Sequence, residues 1–131
     1  LQTKTEALIR CVNRIQSQDV QTEEELESNL DKQEIIILNL QRAVQICVDI
    51  GNHILLDYPT PTPVTMAETF KYLAINKIIP KDNATELSHA VGFRNIAVHQ
   101  YENIDCKIVF AIVQKHLDDF KDFAKAVARL M

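Results

Sequence analysis

Arg94, Asn95 and His99 bring a permanent positive charge, an amide and an imidazole into one short segment. Histidine titrates near neutral pH and suits proton transfer, while a guanidinium can hold a phosphate through two parallel hydrogen bonds. Asn95 and His99 are four residues apart, so one helix face presents both, and the amide can fix the tautomer of the imidazole. Arg94 lies about 140° from His99 on an ideal helix, so we expect the helix to end close to His99 and the arginine to reach across the gap.

Residues 90–98 surround Arg94 with apolar side chains on every side of the predicted helix. A helix that is apolar all round is enclosed by protein, and an isolated guanidinium there is costly unless it has a partner, water or a cleft. The same pattern also fits a structural role, in which Arg94 ties down a loop and His99 interacts with the carboxyl end of the helix. Spacing alone leaves the catalytic and the structural interpretation open.

Asp49 and His53 form a second candidate pair, four residues apart on an earlier predicted helix. We expect a direct carboxylate–imidazole contact between them, with a supporting role beside Arg94 as the alternative. His89 and His116 are expected to be ordinary surface or boundary residues. No grouping of His, Cys, Asp or Glu has metal-ligand spacing and no glycine-rich phosphate loop is present, so we predict no metal and no cofactor.

The composition favours an all-α fold in a single domain over residues 1–131. Hydrophobic residues make up 47% of the chain, and only two glycines and four prolines interrupt it. The three cysteines are dispersed, which is typical of reduced thiols in a cytoplasmic protein. The sequence shows no signal peptide and no apolar run long enough to cross a bilayer. Because it opens on Leu1, we expect a few residues to precede it.

The formal charge of −4 at first argues against a nucleic-acid partner. However, residues 19–31 carry six acidic residues and no basic one, which leaves twelve acidic against fourteen basic residues elsewhere. An acidic segment of this kind is most often a solvated helix face. The charge therefore neither indicates nor excludes nucleic-acid binding.

Apolar spacing predicts about five helices, joined by short connections into a bundle. Three prolines between residues 58 and 63 and a fourth at position 80 interrupt the helical pattern. The predicted helices cover about residues 4–16, 22–57, 65–76, 82–100 and from 105 onward. The last of them carries an apolar series that closes at Met131.

Capping residues mark where three of these helices should begin. Thr22 and Thr65 each precede a glutamate by three residues, the spacing of a capping box in which each side chain satisfies a free backbone N–H of the other residue. Asp82 or Asn83 is expected to cap the fourth helix.

Arg94, His99 and Tyr101 stand in the pattern R-x-x-x-x-H-x-Y, which resembles the signature of the HepT-type toxins in the HEPN superfamily. The resemblance spans the chain, since residues 39–45 and 49–53 are similar to the family's second helix and a proline-bearing loop follows. The sequence does not depart from the signature at any of its three positions.

The resemblance implies an HEPN-like helical bundle that works as a homodimer, with the motifs of both subunits lining one cleft. It implies metal-independent endoribonuclease activity on RNA, with Arg94, Asn95 and His99 as the catalytic residues. It also implies a partner antitoxin of minimal nucleotidyltransferase fold, which can transfer AMP to the motif tyrosine, here Tyr101.

RNA supplies its own nucleophile, the 2′-hydroxyl, so cleavage needs a base, an acid for the departing 5′-oxygen and positive charge near the phosphorus. His99 suits the proton transfers, Arg94 suits the phosphate, and Asn95 is expected to orient the imidazole. One histidine cannot easily act as acid and base in a single in-line step, but a symmetric dimer supplies two. The expected products are a 2′,3′-cyclic phosphate and a 5′-hydroxyl, with Tyr101 stacking on a base at the cleft mouth.

Two other interpretations remain open at this point. In the first, the same bundle is a non-catalytic module that uses Arg94 and His99 to bind a nucleotide or a nucleotidyltransferase partner. In the second, the chain is a monomeric scaffold with a structurally paired arginine.

Overall fold

The computed structural model describes residues 1–130, and Met131, the end of the predicted apolar series, lies outside the described residues. The α-helices are α1 (Gln2–Gln16), α2 (Glu23–Ser28), α3 (Leu30–Leu55), α4 (Met66–Ile75), α5 (Lys81–His99), α6 (Cys106–Lys115) and α7 (Leu117–Ala128). One turn of 3₁₀ helix, Tyr101–Asn103, joins α5 to α6. No strand occurs over residues 1–130, so the predicted all-α class is confirmed. Within the same range, no helix combines the length and the apolar character needed to cross a membrane.

Two of the predicted helices are each divided in two, so the prediction of about five helices is too low. Asn29 interrupts the helix predicted over 22–57, because its backbone is extended (φ −118°, ψ 94°) and its side-chain oxygen accepts from Lys32 N at 3.1 Å. Asn29 is therefore the N-cap of α3, and this cap competes with a helical conformation of the same residue. His116 (φ −120°, ψ 1°) separates α6 from α7, and its Nδ1 lies 3.1 Å from Asp119 Oδ2.

The two predicted capping boxes are confirmed on their threonine side. Thr22 Oγ1 accepts from Glu25 N at 3.1 Å, and Thr65 Oγ1 accepts from Glu68 N at 3.2 Å. The glutamate carboxylates accept from the residue before each threonine, at 3.1 and 2.7 Å, and not from the threonine itself. The two threonines thus fix the first turns of α2 and α4.

The predicted cap of α5 is wrong. Pro80 occupies the N-cap position and its carbonyl oxygen accepts from Ala84 N at 3.1 Å, whereas neither Asp82 nor Asn83 caps the helix. Proline fits because a helix start requires no N–H donor from this residue. Asn83 is buried instead, and its side-chain amide donates to the carbonyl oxygen of Asp119 at 3.0 Å, which ties the start of α5 to α7.

The central helix is α3, which packs against α1, α4 and α5, while α7 lies against α1 and α5. The apolar stripes predicted for α1 and α3 are buried. They comprise Leu8, Val12, Ile15, Ile37, Leu40, Val44, Cys47, Val48 and Ile54. Phe70 of α4 meets Phe123 of α7 edge to face, with ring centroids 6.1 Å apart. This core fixes α5 relative to α3, the two helices that carry the candidate site residues.

Gly51 allows α3 and α4 to approach closely. A Cβ atom at Gly51 would lie 2.6 Å from Thr69 Cγ2 and 2.9 Å from Leu73 Cδ1. Thr69 is buried and its hydroxyl donates to Asn52 Oδ1 at 2.7 Å, so this side chain is held in place. A side chain at position 51 must therefore displace α4.

We predict that Gly51→Ala lowers the free energy of unfolding by about 1–3 kcal/mol, the usual cost of overpacking a core. Thr69→Ser removes Cγ2 but keeps the hydroxyl, so Gly51→Ala should cost less in the Thr69→Ser background than in the wild type. Urea unfolding followed by circular dichroism measures all four proteins. Because alanine is favoured over glycine inside a helix by about 1 kcal/mol, the comparison of backgrounds is decisive, and an equal effect of Gly51→Ala in the two backgrounds would contradict the close contact with Thr69.

Candidate functional site

The carboxyl-terminal half of α5 carries the motif residues. Arg94 is half-buried, whereas Asn95 and His99 are exposed. The helix ends at His99, close to the predicted end, because Gln100 leaves the helical conformation (φ −140°, ψ 52°). The N–H of Gln100 still donates to the carbonyl oxygen of Ile96 at 2.8 Å, which closes the last turn.

Two neutral amide oxygens hold Arg94. Its Nη2 donates to Gln45 Oε1 on α3 at 3.4 Å, and its Nη1 donates to Asn95 Oδ1 at 3.2 Å. Gln45 Nε2 in turn donates to Asp49 Oδ1 at 2.9 Å, and Asp49 Oδ2 lies 3.7 Å from Lys4 Nζ. Within residues 1–130, no carboxylate oxygen lies within 4.0 Å of the Arg94 guanidinium. The guanidinium is therefore oriented without being neutralised, and its charge can act on an anion.

The direct contact predicted between Asp49 and His53 is wrong. Lys4 and Gln45 contact the two carboxylate oxygens of Asp49, and His53 is exposed on α3. Asp49 instead contacts Gln45, which in turn contacts Arg94, and the supporting role considered as the alternative stays a prediction. Sequence reasoning missed Gln45 as a site residue, although its position four residues before Asp49 on one helix face was a usable signal.

Asn95 does not bond to His99, contrary to the expected orienting contact. The Asn95 side-chain oxygen accepts from Arg94, its neighbour in sequence, and no hydrogen bond joins Asn95 to His99. Among residues 1–130, the His99 imidazole makes no hydrogen bond to a side chain or to the backbone. Both ring nitrogens of His99 are therefore accessible from outside the chain.

The expected enclosure of residues 90–98 is wrong for the single chain. One face of α5 is buried against α3, α4 and α7, but Ile96 and Val98 are exposed, because no other helix within residues 1–130 covers them. Ile108 of α6 is exposed as well, and together with Ile96 it lines a largely apolar groove of about 580 Å³. An exposed apolar patch of this kind, next to polar site residues, is typical of an interaction surface.

Tyr101 opens the 3₁₀ turn just after His99, and 44% of its surface is exposed. Partial burial raises the pKa of its hydroxyl above the usual value, and the nearby Glu34 and Cys106 raise it further. The hydroxyl therefore stays protonated at neutral pH. If it acts as a nucleophile, a base must accept its proton.

Glu86, His116 and Asp119 form a polar cluster that the sequence did not predict. His116 Nδ1 lies 3.1 Å from Asp119 Oδ2 and 3.4 Å from Glu86 Oε2, and all three potential ligand atoms lie within 4.8 Å of one another. Burial raises the pKa of Asp119, while the hydrogen bond from His116 opposes the increase. The residue types suit a divalent cation, but the same contacts link α5 to the α6–α7 junction. Glu86 lies about 12 Å along α5 from Arg94, at 1.5 Å per residue, so the cluster is separate from the motif.

Residues 8–127 match the sequence family described as ribonuclease HepT-like. The chain is 36% identical over 124 residues to the mRNA nuclease HepT of Shewanella oneidensis, covering 95% of this chain and 92% of that protein. It is 24% identical over 127 residues to the tRNA nuclease HepT of Aphanizomenon flos-aquae, covering 97% of this chain and 86% of that protein.

A solved structure of tri-AMPylated Shewanella oneidensis HEPN toxin in complex with MNT antitoxin is similar to this chain, with a TM-score of 0.89 at 35% identity. The match covers 97% of this chain and 95% of that one. The similarity therefore includes every helix that positions Arg94, His99 and Tyr101.

Proposed function

Since the chain belongs to the ribonuclease HepT-like family, we propose that it is the endoribonuclease toxin of a toxin–antitoxin pair, acting on RNA as a homodimer. The observation that carries this proposal is the state of Arg94. Its guanidinium is half-buried, oriented by amide oxygens and, within residues 1–130, free of any carboxylate within 4.0 Å. An exposed imidazole follows five residues later, at the end of the same helix. Such a pair can bind a phosphate and transfer protons beside it.

In the proposed mechanism, Arg94 contacts the nonbridging oxygens of the scissile phosphate, where negative charge grows as the 2′-oxygen attacks. One His99 accepts the proton of the 2′-hydroxyl, and the partner subunit's His99 donates a proton to the departing 5′-oxygen. The bond from phosphorus to the 5′-oxygen breaks as the bond to the 2′-oxygen forms, which gives a 2′,3′-cyclic phosphate and a 5′-hydroxyl. Asn95 contributes by positioning the Arg94 guanidinium, the group it contacts.

We predict that the purified protein cleaves an RNA oligonucleotide in the presence of EDTA, because imidazoles and a guanidinium supply the proton transfers and the positive charge. His99→Ala should lower kcat by about 10²–10⁴-fold, and Arg94→Ala by about 10²–10³-fold. Mass spectrometry of the fragments identifies the terminal groups. Arg129→Ala is the matched control, since Arg129 is an exposed arginine at the end of α7.

Cleavage that survives His99→Ala would contradict the mechanism, and activity that EDTA abolishes would contradict metal independence. RNA binding without any cleavage by the wild-type protein would favour the alternative, a non-catalytic module that binds a nucleotide or a nucleotidyltransferase partner.

The proposed homodimer rests on the uncovered apolar face of α5 and α6. Ile96 and Ile108 are exposed in one groove there, and His99 follows Ile96 by three residues, about one turn along α5. A two-fold contact across this face would bury the patch and bring both copies of His99 into one cleft. It would also complete the enclosure that the apolar sequence of α5 requires.

We predict that Ile108→Asp weakens dimerisation by at least about a hundredfold, because each uncompensated charge in a dry interface costs on the order of 3 kcal/mol and a two-fold contact carries two of them. Cleavage activity should fall in parallel with the dimer fraction. Sedimentation equilibrium measures the mass of the wild type and the variant over a range of concentrations. Ile75→Asp is the control, since Ile75 is 62% exposed on α4, against 51% for Ile108, and lies outside the groove. A fully active monomer would exclude a composite site.

Silencing by a nucleotidyltransferase-fold antitoxin is the third part of the proposal. Tyr101 Oη would attack the α-phosphorus of ATP, pyrophosphate would leave, and the phenolic proton would pass to a base supplied by the antitoxin. The raised pKa of Tyr101 makes a base necessary, and we place that base on the antitoxin. The AMP ester would place negative charge and bulk two residues from His99, where the RNA backbone must bind.

We predict that co-expression with the antitoxin, in the presence of ATP, increases the intact mass of the wild-type chain by the mass of the transferred AMP. The Tyr101→Phe variant should not gain this mass at position 101. Tyr101→Phe should also retain ribonuclease activity after co-expression, because silencing needs the hydroxyl. Tyr58 is a half-buried tyrosine at the start of the proline-bearing loop, so Tyr58→Phe is the control and should be modified like the wild type. Modification of Tyr101→Phe to the wild-type extent would exclude Tyr101 as an acceptor.

A further inference from the structure

Three arginines form a second cationic surface next to the motif. Arg10 and Arg14 are four residues apart on α1, and Arg42 lies on α3. All three are exposed, and they line one cavity of about 500 Å³ between the two helices. The sequence analysis did not predict this surface, because its arginines come from distant parts of the chain.

The charge of this arginine cavity is not compensated locally. Within residues 1–130, none of the three guanidiniums lies within 4.0 Å of a carboxylate oxygen, and neither Asp nor Glu lines the cavity. Cys11 also lines it, and while burial raises the pKa of this thiol, the charges of Arg42 and Arg10 oppose the increase. A local positive field thus exists in a chain whose formal charge is −4.

Gln45 joins the arginine cavity to the motif. Its side chain lines the cavity, and its Oε1 accepts from Arg94 Nη2 at 3.4 Å. The cavity and the catalytic arginine therefore share one residue, and positive charge extends from Arg94 across α3 to α1. The cavity wall itself holds no acidic side chain, and the carboxylate that Gln45 contacts at the junction, Asp49, also lies 3.7 Å from Lys4 Nζ.

We propose that the arginine cavity binds the phosphate backbone of the RNA strand on one side of the scissile bond. This inference rests on the proposed ribonuclease function and assigns Arg10, Arg14 and Arg42 to substrate binding. The cavity wall holds no aromatic side chain, so it cannot stack a base, and it suits phosphates more than a free nucleotide. Contacts of this kind position a strand and carry no sequence information.

The test compares Arg10→Gln/Arg42→Gln with the wild type on single-stranded RNA. The double variant should raise KM about tenfold at low salt with kcat changed less than about twofold, because the reacting groups are intact. For binding measured in the His99→Ala background, the slope of log affinity against log salt concentration should become shallower by about 1.4, at roughly 0.7 for each phosphate that the variant no longer neutralises. A dinucleotide that presents only the scissile phosphate should be cleaved equally by both proteins.

Lys125→Gln/Arg129→Gln is the matched control. It changes the net charge by the same amount. Its two side chains line a different cavity at the end of α7, which Asp82 and Asp122 also line. Equal salt slopes in the two double variants would overturn the inference, because the change in RNA affinity would then follow from the net charge alone and not from the arginine cavity. Loss of antitoxin binding with unchanged RNA affinity would also overturn it and assign the cavity to the protein partner.

The outcomes separate this inference from the proposed function. If the wild type cleaves RNA but the Arg10→Gln/Arg42→Gln variant keeps the wild-type KM and salt slope, only the inference about the arginine cavity is wrong. If the wild-type protein cleaves no RNA, the ribonuclease proposal itself is wrong. Thermal melting of both double variants confirms that they fold, as expected for exposed side chains with no ion pair among the described residues.

Discussion

The site depends on a positive charge that is held in place and left unbalanced. Arg94 is half-buried, and a carboxylate partner would satisfy it at the expense of its affinity for an anion. The protein uses the amide oxygens of Gln45 and Asn95 instead, which orient the guanidinium without cancelling its charge. Asp49 does not contact Arg94 directly but accepts a hydrogen bond from Gln45 and so holds that amide in place. The packing of α5 on α3 serves this arrangement, since the two amides come from the two helices.

The sequence predicted the fold class and most of the helices, because apolar spacing and threonine caps are local signals. It did not predict the breaks at Asn29 and His116, where a single side chain competes with continuation of a helix whose apolar spacing continues on both sides. The predicted start of α5 was also wrong. Asn83 is a residue type that often caps helices, but here it is buried against α7, and that burial depends on tertiary contacts. Local patterns specify where helices are favoured, and long-range contacts decide where they stop.

For the site, the sequence identified Arg94, His99 and Tyr101 but not how they are supported. The expected pairs, Asp49 with His53 and Asn95 with His99, obeyed the four-residue spacing of helix neighbours, yet neither pair forms. In each case a nearby cation or amide contacts the same oxygen instead, and that competition depends on how α1, α3 and α5 meet. The exposed apolar residues of α5 are a further example of what the sequence cannot specify. Their composition predicts that they are buried, but it does not say which surface covers them.

The short turn after α5 has a consequence for the timing of silencing. Tyr101 lies two residues beyond His99, at the start of a turn of three residues, so under the proposed mechanism a strand bound at the imidazole would pass close to the tyrosine as well. An adenylylating partner and an RNA chain would thus exclude each other by simple occupancy. If Tyr101 is the acceptor, modification would then proceed only on protein that carries no RNA, and a chain already engaged on RNA would finish its turnover before it could be switched off.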